Sequence, residues 1–569
     1  MAMSYLKSRS DEPLVDVTLG QLLDDTAARW PEKEAYVFRK QGVRMTCAEV
    51  KREADRLAAG LLSIGVGRGD VVAWVVSTRP EWIALGFAVA KIGAVALPLI
   101  PLYFWSSYDD IVSKVMAKVK VKVFLIENFP ATEDFEGTLS FLKRAFPETT
   151  SQKTRGLTFD TMPSLKSIVI VGDKNHEDAF YNLKDIQSLG DDDTARGRVQ
   201  EAQSHSDCHD AVMLTLTSGS AGLPKCVEHS SFTIVNNTLL HVRGTGMDTK
   251  KTVLMPTDLT EAAFIFHLPI ITVGTLVLPI DESPTVTELF SAIMEERCET
   301  TTLMYVKHFH EFLHHPALND FNISFLKQVS VGGNAVTKPL VQRAAEVLPC
   351  VDIQKMYGTT ETMSLAVTGP GRTKEQIETT VGNLLPHMEM KLVDRHGQIV
   401  PLQHEGEVWV RGYSVFRRYR GDEEKTAEAK TTDGWYKTGD IGILEENGLL
   451  KITGRKEEFI IRDSTNVHPT TVEQVLLTHP KVFDVKVVGV PDPASVEEIC
   501  ACIILKKGQT SDQEEMEEFS EKHGLIDDYC PGYVIFMDSF PVTSTGRKFD
   551  RKKLRDIAIE RLSLKEGAE

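Results

Sequence analysis

The chain has 569 residues, 42% of them hydrophobic and 25% charged, an ordinary globular balance that excludes collagen, coiled coil and wholesale disorder. At ~150 residues per domain, two or three domains with a large core are expected. Lys and Arg number 64 and Asp and Glu 81, so the net charge of −17 argues against nucleic acid or an anionic membrane as partner, while leaving room for a small basic pocket.

In chain order, the opening MAMSYLKSRS lacks the apolar core of a signal peptide. Val71–Val76 reads as a buried strand, Glu81–Ile92 as a helix and Ala94–Leu99 as the next strand. The apolar run Leu85–Phe104 carries Lys91, Gly93, Pro98 and Pro101 and falls short of a membrane span. Val121–Ile126, Ile168–Val171, Val212–Leu216, Thr275–Leu278 and Thr302–Val306 are further strands separated by helical lengths, the pattern of α/β layers with largely parallel sheets. The polar stretches Asn128–Met162 and Ser188–Asp210 read as surface connections. From about Leu392 short alternating runs such as Gly406–Arg411 and Leu449–Thr453 predict a compact β-rich module. After Gly454 follow mixed β and α patterns: Val485–Gly489, Ile499–Leu505 and helical Glu514–His523. The eight cysteines show no zinc-site spacing and read as reduced, mostly buried thiols of a reducing compartment, by default the cytoplasm.

Five clusters carry chemistry. After the strand Val212–Leu216 comes TSGSAGLPK, in which Gly219 and Gly222 permit close backbone approach, Thr217, Ser218 and Ser220 offer hydroxyls, and Lys225 adds a charge. These are the parts a phosphate group needs, though not in Walker spacing. Gly332-Gly333-Asn334-Ala335 follows the strand-like Lys327–Val331, and Tyr357-Gly358-Thr359-Thr360-Glu361 follows the extended Asp352–Met356. Downstream lie Gly434-Trp435-Tyr436-Lys437-Thr438-Gly439-Asp440 and Gly454-Arg455-Lys456-Glu457-Glu458.

Together these resemble the adenylate-forming superfamily of acyl-CoA synthetases, adenylation domains and luciferases, from about Val17 to Arg561. IVNN at 234–237, GVPD at 489–492 and EEICACI at 497–503 look most like medium-chain acyl-CoA synthetases of the family-member-2 type. The resemblance implies a large N-terminal domain of stacked α/β layers with a β-rich subdomain (1–456) and a smaller mobile α+β C-terminal domain (457–569) pivoting at Glu457. It implies that Thr217, Ser218, Gly219, Ser220, Gly222 and Lys225 hold the triphosphate of ATP, and that Gly333 and Asn334 line the adenine and acyl pocket. Tyr357 would stack on adenine beside Gly358 and Thr359, Thr360 would contact the α-phosphate, and Glu361 would hold Mg²⁺. Asp440 would take the ribose hydroxyls and Arg455 would contact the nucleotide.

The activity implied is ATP-dependent ligation of a fatty, medium-chain carboxylic acid to CoA through acyl-AMP, by a monomer or homodimer with no transmembrane segment. Such relatives often carry a mitochondrial leader; the resemblance begins almost at Met1, so none is expected.

Several positions depart from the family pattern. Ser220 and Ala221 replace two threonines, and Cys226 replaces a glycine, placing a β-carbon where the backbone usually comes close. Asp463 and Ser464 stand for two glycines of the loop lining the pantetheine tunnel. Met255-Pro256-Thr257-Asp258-Leu259 lacks the aromatic and His that usually follow the Pro. In PVTSTGRKFDR at 541–551 the ungapped equivalent of the adenylation lysine is Arg547; Lys548 is the preferred candidate because KFDR matches the usual ending. These departures keep two alternatives open: adenylation without thioester formation, and a non-catalytic nucleotide- or acyl-binding relative.

Overall fold

The computed structural model describes residues 2–100, 109–132, 137–150, 155–160, 162–172, 179–217, 223–248, 251–260, 265–278, 284–333, 336–462, 465–492, 495–525, 529–542 and 549–564. Among the described residues the body holds three sheets. One has the strand order Lys225–Ser230, Ala211–Thr217, Val95–Pro98, Val71–Val75, Val121–Glu127, Ser167–Val171, Tyr181–Asn182, parallel except for its first strand. A second runs Asn383–Leu384, Ala366–Val367, Asp352–Tyr357, Gln328–Gly332, Thr300–Tyr305, Thr252–Leu254, Thr275–Leu278, Glu34–Phe38, Val43–Thr46, parallel at its centre and antiparallel at both ends. Helices fill the space between these two sheets. Pro80–Lys91 is apolar on every side because both sheets cover it, and Trp74, Trp82 and Phe266 meet edge to face at 5.4 and 5.6 Å. Glu81, in its first turn, pairs with Arg79 at 2.8 Å, and Lys91, at its end, is buried and held at 2.5 Å by both Asp24 and Asp55. Among the described residues no helix is long and apolar enough to cross a membrane.

The third sheet is the expected β-rich subdomain: Tyr5–Lys7, Met388–Val393, Glu405–Gly412, Tyr436–Leu444 and Leu450–Arg455, all antiparallel. A smaller α+β module follows, with Val482–Asp492 and Val496–Leu505 at its centre and the helix Arg551–Arg561 packed on one face.

Three stretches differ from the sequence reading. Within the supposed connection Ser188–Asp210 lies a helix, Asp193–Ser204, capped by Asp192 and burying little more than Val199, so it leaves almost no apolar periodicity to read. The connection Asn128–Met162 contains the helix Thr138–Ala145, whose Phe141 and Leu142 enter the core. The opening residues, unremarkable as sequence, supply an edge strand whose partner, Lys391 opposite Tyr5, is far along the chain.

Candidate functional site

Two parallel strands of the second sheet end side by side. Gln328–Gly332 delivers Gly333, which sits at φ +84 with the Tyr305 ring 2.7 Å from where a β-carbon would be. Asp352–Tyr357 delivers the turn 358–364. The carboxyl ends of parallel strands are where α/β sheets place ligands.

The turn is closed by Leu365 N–H on the Tyr357 carbonyl (2.8 Å) and by Thr359 N–H on Thr362 Oγ1 (3.0 Å). It is pinned from below by the helix Ser231–Thr245: Asn237 Nδ2 donates to the Ser364 carbonyl and to Ser414 Oγ, each at 2.7 Å. His229 Nε2 meets the Thr360 carbonyl at 2.9 Å. Burial lowers the His229 pKa to about 4, so the ring is neutral and donates to that carbonyl.

Glu361 is buried at 7% exposure, and its Oε1 accepts the Tyr419 hydroxyl at 2.7 Å. On the other side of Tyr419, Lys225 Nζ lies 4.9 Å from the ring centre, a cation over an aromatic face. Thr217 pairs directly with Lys225 across the two strands that flank 218–222. Tyr436 faces both Thr359 and Glu361, and burial together with the Glu361 charge pushes its pKa upward.

Asp440 comes from the subdomain. Its Oδ2 accepts the Tyr357 hydroxyl at 2.6 Å, and its Oδ1 pairs with Arg455 Nε at 2.9 Å. Its own N–H is held by Thr438 Oγ1, which in turn donates to the Val408 carbonyl. Burial raises the carboxyl pKa; the Arg455 charge and the Tyr357 hydroxyl oppose that shift.

The structure therefore brings Tyr357, Gly358, Thr359, Thr360, Glu361, Asp440 and Arg455 into one place, with Thr217 and Lys225 at its edge and Gly333 on the neighbouring strand end. Ser218, Gly219, Ser220, Gly222, Asn334, Asp463, Ser464, Arg547 and Lys548 lie outside the described residues. On a strand successive side chains alternate faces, so with Lys225 toward the site Cys226 is buried in the core beneath the sheet, where burial raises its thiol pKa to about 11. Sequence reasoning missed Tyr419, which links Glu361 to Lys225; it lies in the polar run RRYRGD and carries no spacing signal.

Beyond the turn, a narrow cavity is lined by Thr238, His241, Met247, Leu268, Thr302 and Met356. His241 Nδ1 meets Ser364 Oγ at 2.9 Å, and burial holds the ring neutral with a pKa of about 4. The C-terminal module touches the body beside Arg455: Thr470 Oγ1 donates to the Thr453 carbonyl at 2.7 Å, and His468 packs against Gly454.

Comparison with known proteins gives the same picture. The AMP-binding enzyme family matches residues 23–420, and the AMP-binding enzyme C-terminal domain matches 471–547. The medium-chain acyl-CoA ligase ACSF2, mitochondrial, of Danio rerio is 33% identical over 99% of this chain and 92% of its own length; the Homo sapiens protein of that name is 30% identical over 99% and 91%. Among solved structures, the amide bond synthetase McbA from Marinactinospora thermotolerans superposes with a TM-score of 0.79 at 26% identity, covering 95% of this chain and 99% of that one. The anthranilate CoA ligase AuaEII, in complex with anthranoyl-AMP, shares the fold at a TM-score of 0.82 and 21% identity, covering 97% and 99%. With its motifs gathered at one site and a family match over most of its length, the chain belongs to the AMP-binding enzyme family.

Proposed function

We propose that the chain is an ATP-dependent carboxylate–CoA ligase acting on a medium-chain fatty acid. The observation that carries this reading is the convergence of two buried carboxylates, Glu361 and Asp440, with three tyrosine hydroxyls at the carboxyl ends of parallel strands.

In the first step the substrate carboxylate attacks the α-phosphorus of ATP; the new O–P bond gives acyl-AMP and pyrophosphate leaves. No side-chain nucleophile is needed, so catalysis is positioning and charge neutralisation. Thr217, Ser218, Gly219, Ser220, Gly222 and Lys225 cradle the triphosphate. Tyr357 and the loop at Gly333 and Asn334 hold the adenine. Asp440 orients the ribose: a carboxylate has about four lone-pair sites, and Tyr357 and Arg455 occupy two, leaving one on each oxygen for the ribose hydroxyls. Thr360 addresses the α-phosphate.

Glu361 suits Mg²⁺, because its Oε2 is left for a hard cation while Tyr419 fixes Oε1. When bound, that ion would neutralise phosphate charge. In the second step the CoA thiol attacks the acyl carbon, AMP departs, and the thiol proton is lost. The cavity beyond Met356, about 10 Å³ as it stands, would have to widen to take the acyl chain. Its Thr238 hydroxyl and His241 imidazole make the lining partly polar.

The domain boundary falls between Lys456 and Glu457, in the short 3-10 turn after Leu450–Arg455. Rotation about Glu457 between the two steps would break the contacts of Thr470 and His468 with the body. Eight free cysteines, most of them buried, support a reducing compartment such as the cytoplasm. A second reading, adenylation followed by transfer to a group other than CoA, is favoured by the likeness to an amide bond synthetase and by Asp463 and Ser464 in place of glycines.

The role of the C-terminal cation is tested by two variants. Lys548→Ala should lower acid-dependent pyrophosphate release by roughly 10²–10³-fold, the cost of losing one preorganised charge partner, while Arg547→Ala is milder. The opposite ranking assigns the role to Arg547. Full activity in both variants would overturn the adenylation geometry proposed here.

A further inference from the structure

Away from the nucleotide site, the loop 205–210 reads His-Ser-Asp-Cys-His-Asp, five potential metal ligands in six residues. The backbone holds it rigidly. The Cys208 carbonyl accepts Phe232 N–H at 2.8 Å, the His209 N–H donates to Asp207 Oδ1 at 2.8 Å, and Arg417 donates to the His209 carbonyl. Asp210 is engaged by Arg68, at 2.6 Å. Cys208 and His209 then present a thiol and an imidazole toward a third group from the far end of the chain, Asp16.

Asp16 Oδ1 lies 3.7 Å from His209 Nε2 and 4.0 Å from Cys208 Sγ, and all three ligand atoms fall within 4.8 Å of one another. Asp16 is itself on a fixed support. Its neighbour Val15 exchanges two 2.9 Å hydrogen bonds with the Asn236 side chain, and Thr18 caps the helix Leu19–Arg29.

Zinc bonds of ~2.0–2.3 Å in a tetrahedron put ligand atoms ~3.3–3.8 Å apart. The Asp16–His209 separation of 3.7 Å already falls in that range, the Asp16–Cys208 separation of 4.0 Å lies just beyond it, and the third pair, within 4.8 Å, closes by up to about 1 Å on binding. The fourth position opens on a cleft of about 480 Å³ lined by Asp16, Thr18, Ser204, Ser206 and Asp207, which admits water. A thiolate, an imidazole and a carboxylate together suit Zn²⁺ and similar transition metals rather than Mg²⁺ or Ca²⁺.

We propose that Asp16, Cys208 and His209 form a transition-metal site of the Zn²⁺ type, separate from the nucleotide centre, that ties the N-terminal segment to the loop 205–210. On binding, the Cys208 thiol gives its proton to solvent and coordinates as thiolate. The site needs no part of the ligase reading.

The test titrates the full-length chain with Co²⁺, which replaces Zn²⁺ and reports a thiolate ligand by a near-ultraviolet charge-transfer band. One ion per chain should give the band, and Zn²⁺ should abolish it. Cys208→Ser should remove the band. Asp16→Asn and His209→Ala should each weaken binding by more than the roughly 10–100-fold that a supporting residue costs. Cys350→Ser, which removes the exposed thiol, should leave binding unchanged. Because Asp16 and His209 are exposed, their variants stay folded and decide the matter even if Cys208→Ser does not. No band, a band that survives Asp16→Asn and His209→Ala at full affinity, or a band lost with Cys350 would each overturn the site.

Discussion

Replacing Gly358 with alanine should abolish acyl-AMP formation, by at least ~10²-fold, the cost of misplacing reacting groups by about 1 Å. A β-carbon at 358 would lie 1.6 Å from the Met363 carbonyl oxygen and 2.7 Å from its carbon. Both are backbone atoms, so no rotamer change relieves the clash. The turn would have to open, breaking the Leu365–Tyr357 and Thr359–Thr362 bonds that close it, and Thr360 and Glu361 would move with it. Overpacking of this kind costs typically ~1–3 kcal/mol of stability, too little to unfold a chain of this size. The expected result is a folded protein with a lowered melting temperature and no pyrophosphate exchange. Gly156→Ala is the control, since nothing lies within 4 Å of its added carbon. Activity of Gly358→Ala within a few-fold of the parent would show that the turn does not position the site.

Acidification should destabilise the protein steeply between about pH 6.5 and 4, well above the range in which most carboxylates titrate. Burial lowers the pKa of His229 and His241 to about 4 and of His267 to about 3. In the unfolded chain each titrates near its ordinary value of ~6.5. Through that interval the unfolded state binds more protons than the folded one, so stability falls as pH falls and is flat once pH exceeds the unfolded value. Each histidine contributes on the order of 1–3 kcal/mol, and three of them rival a total stability of ~5–15 kcal/mol. His229 supports Thr360 and His241 supports Ser364, so the loss includes the site turn. Melting temperature measured against pH should therefore drop sharply below pH 6.5, and His241→Gln should flatten part of the slope. A melting temperature constant from pH 7.5 to 4.5 would contradict this account.

How much of this was legible beforehand depended on where each signal sits. Val71–Val75 announces itself because a strand covered on both faces must be continuously apolar, and Val121–Glu127 does so through its buried run 123–126. The glycines of the site clusters are legible because the backbone demands them: Gly333 and Gly439 take positive φ, and Gly358 has no room for a β-carbon. The helix Asp193–Ser204 was hidden because a helix that buries little more than Val199 leaves no apolar stripe. Tyr419 and Asp16 were hidden for a different reason: each gains its meaning from a partner distant in sequence, Glu361 in one case and Cys208 in the other. The double use of Asp440 by Tyr357 and Arg455 was equally invisible, since the sequence names the residues and not the bonds.

The central claim is that this site joins a carboxylic acid to CoA through an adenylate. The direct measurement incubates the full-length protein with ATP, Mg²⁺ and a panel of straight-chain carboxylic acids, and follows pyrophosphate and acyl-CoA separately, with and without CoA. Acid-dependent pyrophosphate release, accompanied by acyl-CoA when CoA is present, is the predicted result. Pyrophosphate or acyl-AMP without thioester would contradict the ligase reading and leave adenylation standing, and no acid-dependent pyrophosphate with any acid would contradict both.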